Sequence, residues 1–432
     1  MRSAPVIGPV RAFTGDVLPF LTRCRVTYGD AFRLRMFNLE MTCLCGPDAL
    51  ALLQSDTCLR TSSSMHVLTP RCRAASPSMF DGPHHQMFRK AHHQFMNHSL
   101  ESTRREGIQG WLDEHTARWQ PGARVDVLHE AQTQTVDVLS HLLNGEPFPF
   151  KNGSWRRSST PHLVHVRPCS EVDPAQPVVP VCPEAHALAP AEARRRDPRQ
   201  PRTGCRNAGG ALPRPPGPAR TGGWVNEDLV AVPYGAYLAG FDTVASAASF
   251  LVYRLLSNPD SLAQVRAEYE ELARGATGPV DPAQQRYLRA AFVETVRLNP
   301  PGSAVLRFAE RDFEFAGHTI RKDDEILVVI ASDHLDEEYF PNPTDFDPGR
   351  FLGDGSADLK RRVLPFGSGA HRCTGAALGE LIAVEMVSHW INRFDLRIEP
   401  SRAGIQVTAR PYTQPKGLRV RVVGRRVALT DR

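Results

Sequence analysis

The sequence lacks any hydrophobic run long enough to cross a lipid bilayer. No stretch approaches the roughly 20 consecutive apolar residues that a transmembrane helix needs. The opening segment, MRSAPVIGPVRAFTGDVLPF, is without the unbroken apolar core of a signal peptide. With 432 residues, 41% of them hydrophobic, the chain can nevertheless bury a large core. We therefore expect a globular cytoplasmic protein with no membrane anchor.

The sequence also lacks a paired cysteine framework. Nine cysteines, an odd number, are scattered along the chain, and none of them belongs to a CxxC pair. A disulfide-stabilised scaffold would need regularly spaced pairs, so we expect reduced thiols. Cys373 is the only one of the nine that lies in a glycine-rich setting.

The sequence also lacks positive charge that is spread evenly along the chain. The formal net charge is +5, but residues 151–224 alone hold 12 Lys and Arg against 5 Asp and Glu. The rest of the chain is therefore slightly acidic. This distribution does not indicate a nucleic-acid partner.

The same middle segment, residues 151–223, contains no Phe, Tyr, Ile or Met but 13 of the 36 prolines. Such a composition cannot supply a packed helix or strand of any length. Within residues 191–220, 23 of 30 residues are Ala, Arg, Pro or Gly, whose codons begin with two G or C bases. A GC-rich gene read out of frame yields this mixture, so we hypothesise two compensating frame errors. A genuine disordered linker is the alternative.

Outside this segment the sequence patterns are mainly helical. A long apolar helix is predicted from Asn226, and an amphipathic helix follows the break at Asn258-Pro259. PAQQRYLRAAFVETVRLNPP predicts another helix, ended by two prolines, and TGAALGELIAVEMVSHWINRF predicts the last one. Between them, DFEFAGHTIRKDDEILVVIA reads as short strands around a glycine turn. The predicted fold class is mainly α with a small β-sheet region.

Cys373 lies in the segment FGSGAHRCTG, residues 366–375, which we call the thiol loop. Gly367 and Gly369 permit backbone conformations closed to other residues and a close approach to a flat ligand. Backbone N–H groups and the start of the next helix are expected to lower the pKa of the thiol, so that the thiolate is its resting form. A zinc site would need other ligands at short spacing, and none is present. A buried structural cysteine is the alternative interpretation.

The spacing Phe366-x-x-Gly369-x-x-x-Cys373-x-Gly375 resembles the haem-binding loop of the cytochrome P450 superfamily, whose cysteine is the proximal iron ligand. Three further stretches resemble the same superfamily in the same order. They are DGPHHQMFRKAHHQF (81–95), AGFDTV (239–244) and the pair Glu294 and Arg297 with FDPGRF (346–351). The resemblance implies a soluble protein of bacterial type, with one haem-thiolate domain over residues 1–432 that binds haem b (iron protoporphyrin IX).

The resemblance assigns AGFDTV to the oxygen-binding groove of the long helix. Small residues at Ala239 and Gly240 would leave room beside an iron-bound ligand. Thr243 can donate a hydrogen bond to a carbonyl one turn earlier, and Asp242 and Thr243 would be the catalytic pair that relays protons. Without the resemblance, a glycine and a threonine in a helix would indicate tight packing.

The resemblance also assigns contacts to the haem. His85 and Arg89, one helical turn apart, and Arg307 and His371 match positions that contact the propionates. Each of these could instead be a solvated surface residue. We adopt that simpler interpretation for three other histidines, His84, His92 and His93. The full predicted cofactor-binding set is His85, Arg89, Ala239, Gly240, Arg307, Phe366, Gly367, His371, Cys373 and Gly375, with Cys373 as the metal ligand.

Glu294, Arg297 and Arg350 are expected to form a buried charge network that braces the thiol loop. Removal of one partner from such a network costs roughly 3–5 kcal/mol, so loss of haem is the predicted phenotype. Leu335 departs from the family, which commonly has an arginine there, and we expect a weaker local salt bridge. Residues 151–223 stand where the family has the two helices that roof the substrate pocket.

The implied reaction is monooxygenation, in which one oxygen atom of dioxygen enters a hydrophobic small molecule of secondary metabolism. Few residues follow the haem domain, so electrons are expected from a separate ferredoxin or flavodoxin with its reductase. This partner would dock near Arg372 and the basic run at residues 360–362. Two alternatives remain: a haem-thiolate enzyme that uses peroxide, and a non-catalytic haem-binding product caused by the anomalous middle segment.

Overall fold

A computed structural model describes residues 15–36, 39–55, 59–61, 81–102, 105–144, 147–148, 226–276, 278–399, 405–409 and 412–426. The anomalous segment at residues 151–223 lies outside the described residues. So does the loop around residues 62–79, which the resemblance to the cytochrome P450 superfamily places, by its position in the chain, among the expected substrate contacts. The hypotheses about these two segments therefore stay as stated above.

Helices dominate the described part of the chain. They are α1 (Val17–Tyr28), α2 (Gly46–Ser55), α3 (Gly82–Ser102), α4 (Arg105–Thr116), α5 (Val127–Asn144), α6 (Asn226–Ser257), α7 (Pro259–Gly275), α8 (Arg286–Leu298), α9 (Ser356–Val363) and α10 (Ala376–Arg393). Short 3₁₀ segments occur at Pro282–Gln284, Pro348–Phe351 and Gly369–His371. The mainly helical prediction is confirmed.

Short strands make up the β region. They are β1 (Ala31–Met36), β2 (Leu39–Leu44), β3 (Leu59–Thr61), β4 (Arg124–Asp126), β5 (Val305–Ala309), β6 (Phe313–Phe315), β7 (His318–Ile320), β8 (Glu325–Val328), β9 (Phe394–Ile398), β10 (Gln406–Ala409), β11 (Thr413–Lys416) and β12 (Arg419–Arg425). The largest sheet has the order β1-β2-β8-β5-β3, and the three-stranded sheet has the order β4-β12-β9. Two hairpins, β6-β7 and β10-β11, complete the set among the described residues.

The predicted helix boundaries follow from local chemistry. Helix α6 ends at Ser257 and α7 begins at Pro259, which occupies the first helical turn, where its missing N–H costs nothing. Helix α8 ends before the double proline, as expected, with the Asn299 N–H donating to Thr295 O. The glycine turn between β6 and β7 uses the positive φ of Gly317, 73°.

Helix α6 runs through the core and packs against α5, α8 and α10. Side chains from all of these helices belong to one buried hydrophobic cluster. A separate cluster beneath the large sheet contains Cys24, Cys43 and Cys45. Burial raises the pKa of the Cys45 thiol to about 12, so it is a protonated hydrophobic side chain at neutral pH. This part of the cysteine prediction agrees with the structure.

Among the helices in the described ranges, none is both long and apolar enough to cross a bilayer.

Candidate active site

The thiol loop is a tightly hydrogen-bonded turn that leads into α10. The Cys373 N–H donates to Phe366 O at 2.8 Å, and the Arg372 N–H donates to Gly369 O at 3.1 Å. Gly367 and Gly369 have φ angles of 69° and 71°, in the region that favours glycine. Cys373 is therefore held between a backbone hydrogen bond and the first turn of a helix.

Gly369 also fixes the position of the loop against α2. A Cβ atom at Gly369 would overlap the backbone carbonyl oxygen of Leu53. At Gly367, by contrast, a Cβ would meet no atom within 4 Å. The close approach of two backbones explains why a glycine is needed at position 369 for space as well as for conformation.

Cys373 is exposed as a residue, while protein atoms fill much of the space around its sulfur. Desolvation by these surroundings raises the pKa of the thiol, and this effect exceeds the lowering by the Gly375 N–H, Arg372 and Arg89. The expectation that the loop alone lowers the pKa is therefore wrong. The favourable donors are present, but they do not offset the loss of water around the sulfur.

Three of the predicted residues form a cluster beside this thiol. The rings of His85 and His371 stack at 4.1 Å between centroids. Nε2 of His371 lies 2.8 Å from Oδ1 of Asp81. The Arg89 guanidinium donates to Arg372 O at 2.6 Å, one residue before the cysteine. Helix α3 and the thiol loop thus bring together His85, Arg89 and His371, which lie far apart in the sequence.

The simpler interpretation of the neighbouring histidines was wrong in one case. His92 is buried, and its Nδ1 lies 3.0 Å from Phe88 O, one turn earlier on α3. It belongs to the packed side of the helix because it is one heptad after His85, which is also buried. His93 is exposed, as expected, and the side chain of His84 lies outside the described residues.

The predicted back-bond on α6 is present. Thr243 Oγ1 donates to Ala239 O at 2.7 Å. Val244, the residue after Thr243 on α6, packs against the first turns of α10. A Cβ atom added at Gly379 of α10 would lie 3.5 Å from Val244 Cγ2, an ordinary packing distance. Thr243 is therefore held near the helix that follows Cys373.

The two small residues of α6 differ in role. Ala239 is exposed, which agrees with open space on that side of the helix. A Cβ on Gly240 would lie only 3.2 Å from Leu139 Cδ1 of α5. For Gly240, the structure therefore indicates close helix packing, where we had predicted room beside a ligand.

Asp242 lies in a polar cluster at the junction of α5, α6 and β11. Gln132 Nε2 donates to its Oδ1 at 2.9 Å. Burial raises the pKa of the Asp242 carboxyl group, while the amides of Gln132 and Gln414 lower it. Tyr412 lies close enough that the charges of Asp242 and Cys373 raise the pKa of its phenol, after burial as the main cause. No local sequence pattern points to Gln132, Gln414 or Tyr412, since each approaches Asp242 only in the fold.

The predicted charge network is present and buried. Arg297 donates to both oxygens of Glu294, at 2.6 and 2.7 Å, and both side chains are fully buried. Arg350 Nε reaches Glu294 Oε1 at 3.3 Å. Arg297 also donates to backbone carbonyls of the following segment, at His334 O and Pro343 O. The network therefore fixes the path of the chain between β8 and the thiol loop.

His334 connects this network to the thiol loop and was missed by the sequence analysis. Its ring nitrogens lie 2.9 Å from Arg297 O and 2.7 Å from Val363 O. Leu364, which follows Val363 in the sequence, accepts a hydrogen bond at its carbonyl oxygen from the Gly367 N–H at 2.9 Å. The position of His334, next to the departure at Leu335, could have drawn attention to it.

Arg307 lies on β5 and pairs in register with Thr61 and Ile326. Its guanidinium donates to Leu306 O at 2.8 Å. These contacts belong to the large sheet, so the predicted propionate contact of Arg307 stays a prediction.

A comparison with protein families matches residues 222–420 to the family described as Cytochrome P450. One similar curated protein is Cytochrome P450 6B7 of Helicoverpa armigera, 33% identical over 47% of this chain and 42% of its own length. Another is Cyclooctat-9-en-7-ol 5-monooxygenase of Streptomyces melanosporofaciens, 33% identical over 35% of each chain. The matches thus span less than half of these relatives, and they come from insects as well as bacteria.

Solved structures match over nearly the whole chain. A cytochrome P450, CYP102L1, superposes with a TM-score of 0.76 at 20% identity, over 96% of this chain and 99% of its own. The retinoic acid-bound cyanobacterial CYP120A1 gives 0.75 at 22% identity, over 97% of both chains. At these identities the similarity establishes the fold.

Proposed function

We propose that the chain is a haem-thiolate monooxygenase of the cytochrome P450 superfamily, which is supported by the family match over residues 222–420 and by the fold. The observation that carries this proposal is the setting of Cys373. Its thiol is exposed at the start of α10, in a loop pressed against α2, beside stacked imidazoles and a guanidinium. An ordinary structural cysteine would be packed among apolar side chains, as Cys24 and Cys43 are.

Haem b, the cofactor of this superfamily, suits the residues that the fold brings together. The Cys373 sulfur would be the soft anionic donor to the iron, whose positive charge would offset the desolvation that raises the pKa of the free thiol. His85, Arg89 and His371 supply donors for carboxylate groups, and Gly367 has open space where a Cβ would stand. When bound, the haem supplies reductive activation of dioxygen and transfer of one oxygen atom.

The remaining steps are assigned to side chains of this chain. Thr243 presents a hydroxyl group whose proton is directed to Ala239 O, so its oxygen can accept a hydrogen bond from the pocket. Asp242, with a pKa raised by burial, can hold and release a proton closer to neutral pH than a solvated aspartate can. Together they would deliver protons through water to the pocket side of α6.

The substrate is proposed to be a hydrophobic small molecule of secondary metabolism. Its expected contacts, inferred from position, are mostly small or apolar residues. They are Ala236, Ala239, Gly240 and Thr243 of α6, residues 303–305 before and within β5, and the loop around residues 62–79. The Streptomyces relative, named for a monooxygenase acting on cyclooctat-9-en-7-ol, is in keeping with this class.

The electron donor is proposed to be a separate ferredoxin or flavodoxin with its reductase, and the location is proposed to be the cytoplasm. The basic run of α9 is partly engaged: Arg362 lies over the Tyr339 ring at 3.6 Å, and Arg361 pairs with Asp358. Lys360 and Arg372 remain as the candidate docking charges. A bacterial soluble type stays a prediction, since the similar proteins also include insect ones.

A carbon monoxide difference spectrum of the reduced protein tests the proposed function. A band at about 450 nm is expected from a thiolate-ligated haem. Turnover of candidate substrates should then depend on a reductase and ferredoxin system. Turnover with hydrogen peroxide alone would favour the peroxide-using alternative, and absence of haem in the purified chain would favour the non-catalytic one.

A further inference from the structure

The carboxyl group of Asp242 is held by a hydrogen bond from an element other than its own helix. On one side, the Gln132 amide of α5 donates to Oδ1 at 2.9 Å. On the other side, Gln414 of β11 lies near the carboxyl group and lowers its pKa, but the Gln414 amide nitrogen has no hydrogen-bond partner among the described residues. A carboxylate that accepts a hydrogen bond from an amide on another helix has less rotational freedom than one in water.

Both elements that approach Asp242 are themselves anchored. The neighbour of Gln414, Thr413, accepts a hydrogen bond at its carbonyl oxygen from Ser246 Oγ, one turn after Asp242 on α6. On α5, Gln134 accepts a hydrogen bond from the indole N–H of Trp390 at 3.0 Å, which ties the helix to α10. Gln132 therefore projects from a fixed helix onto a fixed carboxyl group.

We propose that Gln132 is a positioning residue for Asp242: Gln132 sets the rotamer in which the Asp242 carboxyl group exchanges protons with the pocket. This inference rests on the proposed function and adds a residue to it. In each exchange, the carboxylic acid gives its proton to a pocket water and the carboxylate takes one back from solvent, so Asp242 is unchanged over a cycle.

The groups around Asp242 allow the effect of Gln132 on its proton affinity to be measured. Tyr412 shares a charge interaction with Asp242, and the pKa of its phenol is raised above its ordinary value, mainly by burial. Tyr412 is thus neutral at working pH. Gln132 and Gln414 are uncharged. A change in the proton affinity of Asp242 when Gln132 is substituted therefore reports the loss of the hydrogen bond between Gln132 and Asp242.

The test compares the parent with Gln132→Leu, Gln132→Asn and the control Thr133→Val. Thr133 lies next to Gln132 on α5, and its hydroxyl donates to His129 O, so its loss leaves the Asp242 contact in place. The proton affinity of Asp242 is read by infrared titration of the carboxyl band that Asp242→Asn removes. We expect it to rise roughly tenfold in Gln132→Leu and Gln132→Asn, because a donor to the charged form is lost, and to stay unchanged in Thr133→Val.

In protein that shows the carbon monoxide band, the same Gln132 variants should release more peroxide per electron pair consumed, while the band itself is retained. An unchanged Asp242 titration, or unchanged coupling with a shifted titration, would overturn the positioning role. If Gln132→Leu does not fold, Gln132→Asn, which keeps an amide but shortens its reach, decides the question. Failure of the proposed function would appear separately, as loss of the carbon monoxide band in the parent.

Discussion

Cys373 is a residue whose chemistry is set by opposing forces. The backbone N–H groups and nearby guanidinium groups favour the thiolate, yet desolvation outweighs them and raises the pKa of the thiol. A positively charged partner at the sulfur would reverse this balance.

Thr243 provides a prediction at the scale of one hydroxyl group. Thr243→Ala removes the bond to Ala239 O and the pocket hydroxyl, so proton delivery should fail while the haem site stays intact. We expect an unchanged carbon monoxide band and a roughly fivefold or greater rise in peroxide released per electron pair.

The matched control for Thr243 is Ser249→Ala on the same helix. Ser249 donates the same type of bond, to Ala245 O at 2.6 Å, but is buried in the core. Peroxide release should not change in this control. Equal peroxide release in Thr243→Ala and the parent would remove the role assigned to Thr243.

Sequence patterns were informative about residues that act through local spacing. The back-bond of Thr243, the turn that separates His85 from Arg89, and the pair Glu294 and Arg297 all follow from helical periodicity. Gln132 and His334 could not be found in this way, because their partners lie 110 and 29 or more residues away. Gly240 shows a further limit: the sequence indicates a small residue but not which neighbour approaches it.

At the scale of elements, the position of the thiol loop depends on α2. The Gly369 backbone passes so close to Leu53 O that a side chain cannot be accommodated. Helix boundaries such as Ser257 and Pro259 were predictable from proline chemistry, whereas this contact between α2 and a loop more than 300 residues later was not. The sequence showed only that glycine was present.

Gly369→Ala and Gly367→Ala form a matched pair that tests this contact. Both positions have positive φ, so each substitution strains the backbone, by roughly 1 kcal/mol. Only Gly369→Ala also forces the loop away from Leu53. We expect Gly369→Ala to lose most of its haem and Gly367→Ala to retain most of it, as measured by the haem content of the purified proteins. Equal haem content in the two variants would contradict the proposed role of α2.

At the scale of the whole molecule, two buried histidines make stability depend on pH. Burial lowers the pKa of His334 to about 4 and that of His389 to about 3. Their ordinary value is about 6.5 in an unfolded chain. Below about pH 6.5 the unfolded chain therefore binds protons that the folded chain does not, and the free energy of unfolding falls as the pH falls.

Each of these histidines should lower the free energy of unfolding by up to roughly 1.4 kcal/mol per pH unit between about pH 6.5 and pH 4. Urea unfolding of the parent and of His389→Gln over this range measures the effect. The slope, expressed as the number of protons taken up on unfolding, should decrease by about one in His389→Gln. It should stay unchanged in His93→Gln, whose side chain is exposed. A parent whose stability is flat across this range would contradict the neutral buried state.

The origin of the anomalous composition of residues 151–223 concerns the chain as a whole. The family match begins at residue 222, where the anomalous composition ends. We propose that two frame errors bracket residues 151–223, and translation of the coding DNA in the other two frames tests this. An amphipathic helical sequence should appear there. Its absence would leave a genuine linker as the explanation.

The measurement that bears most directly on this account is the carbon monoxide difference spectrum of the parent and of Cys373→Ser, compared with Cys45→Ser as the control for a thiol in the protein core. The parent and the control should both give a band at about 450 nm, and Cys373→Ser should lose it. A Cys373→Ser protein with the same spectrum and activity as the parent would contradict the assignment of the iron ligand and the oxygen chemistry built on it.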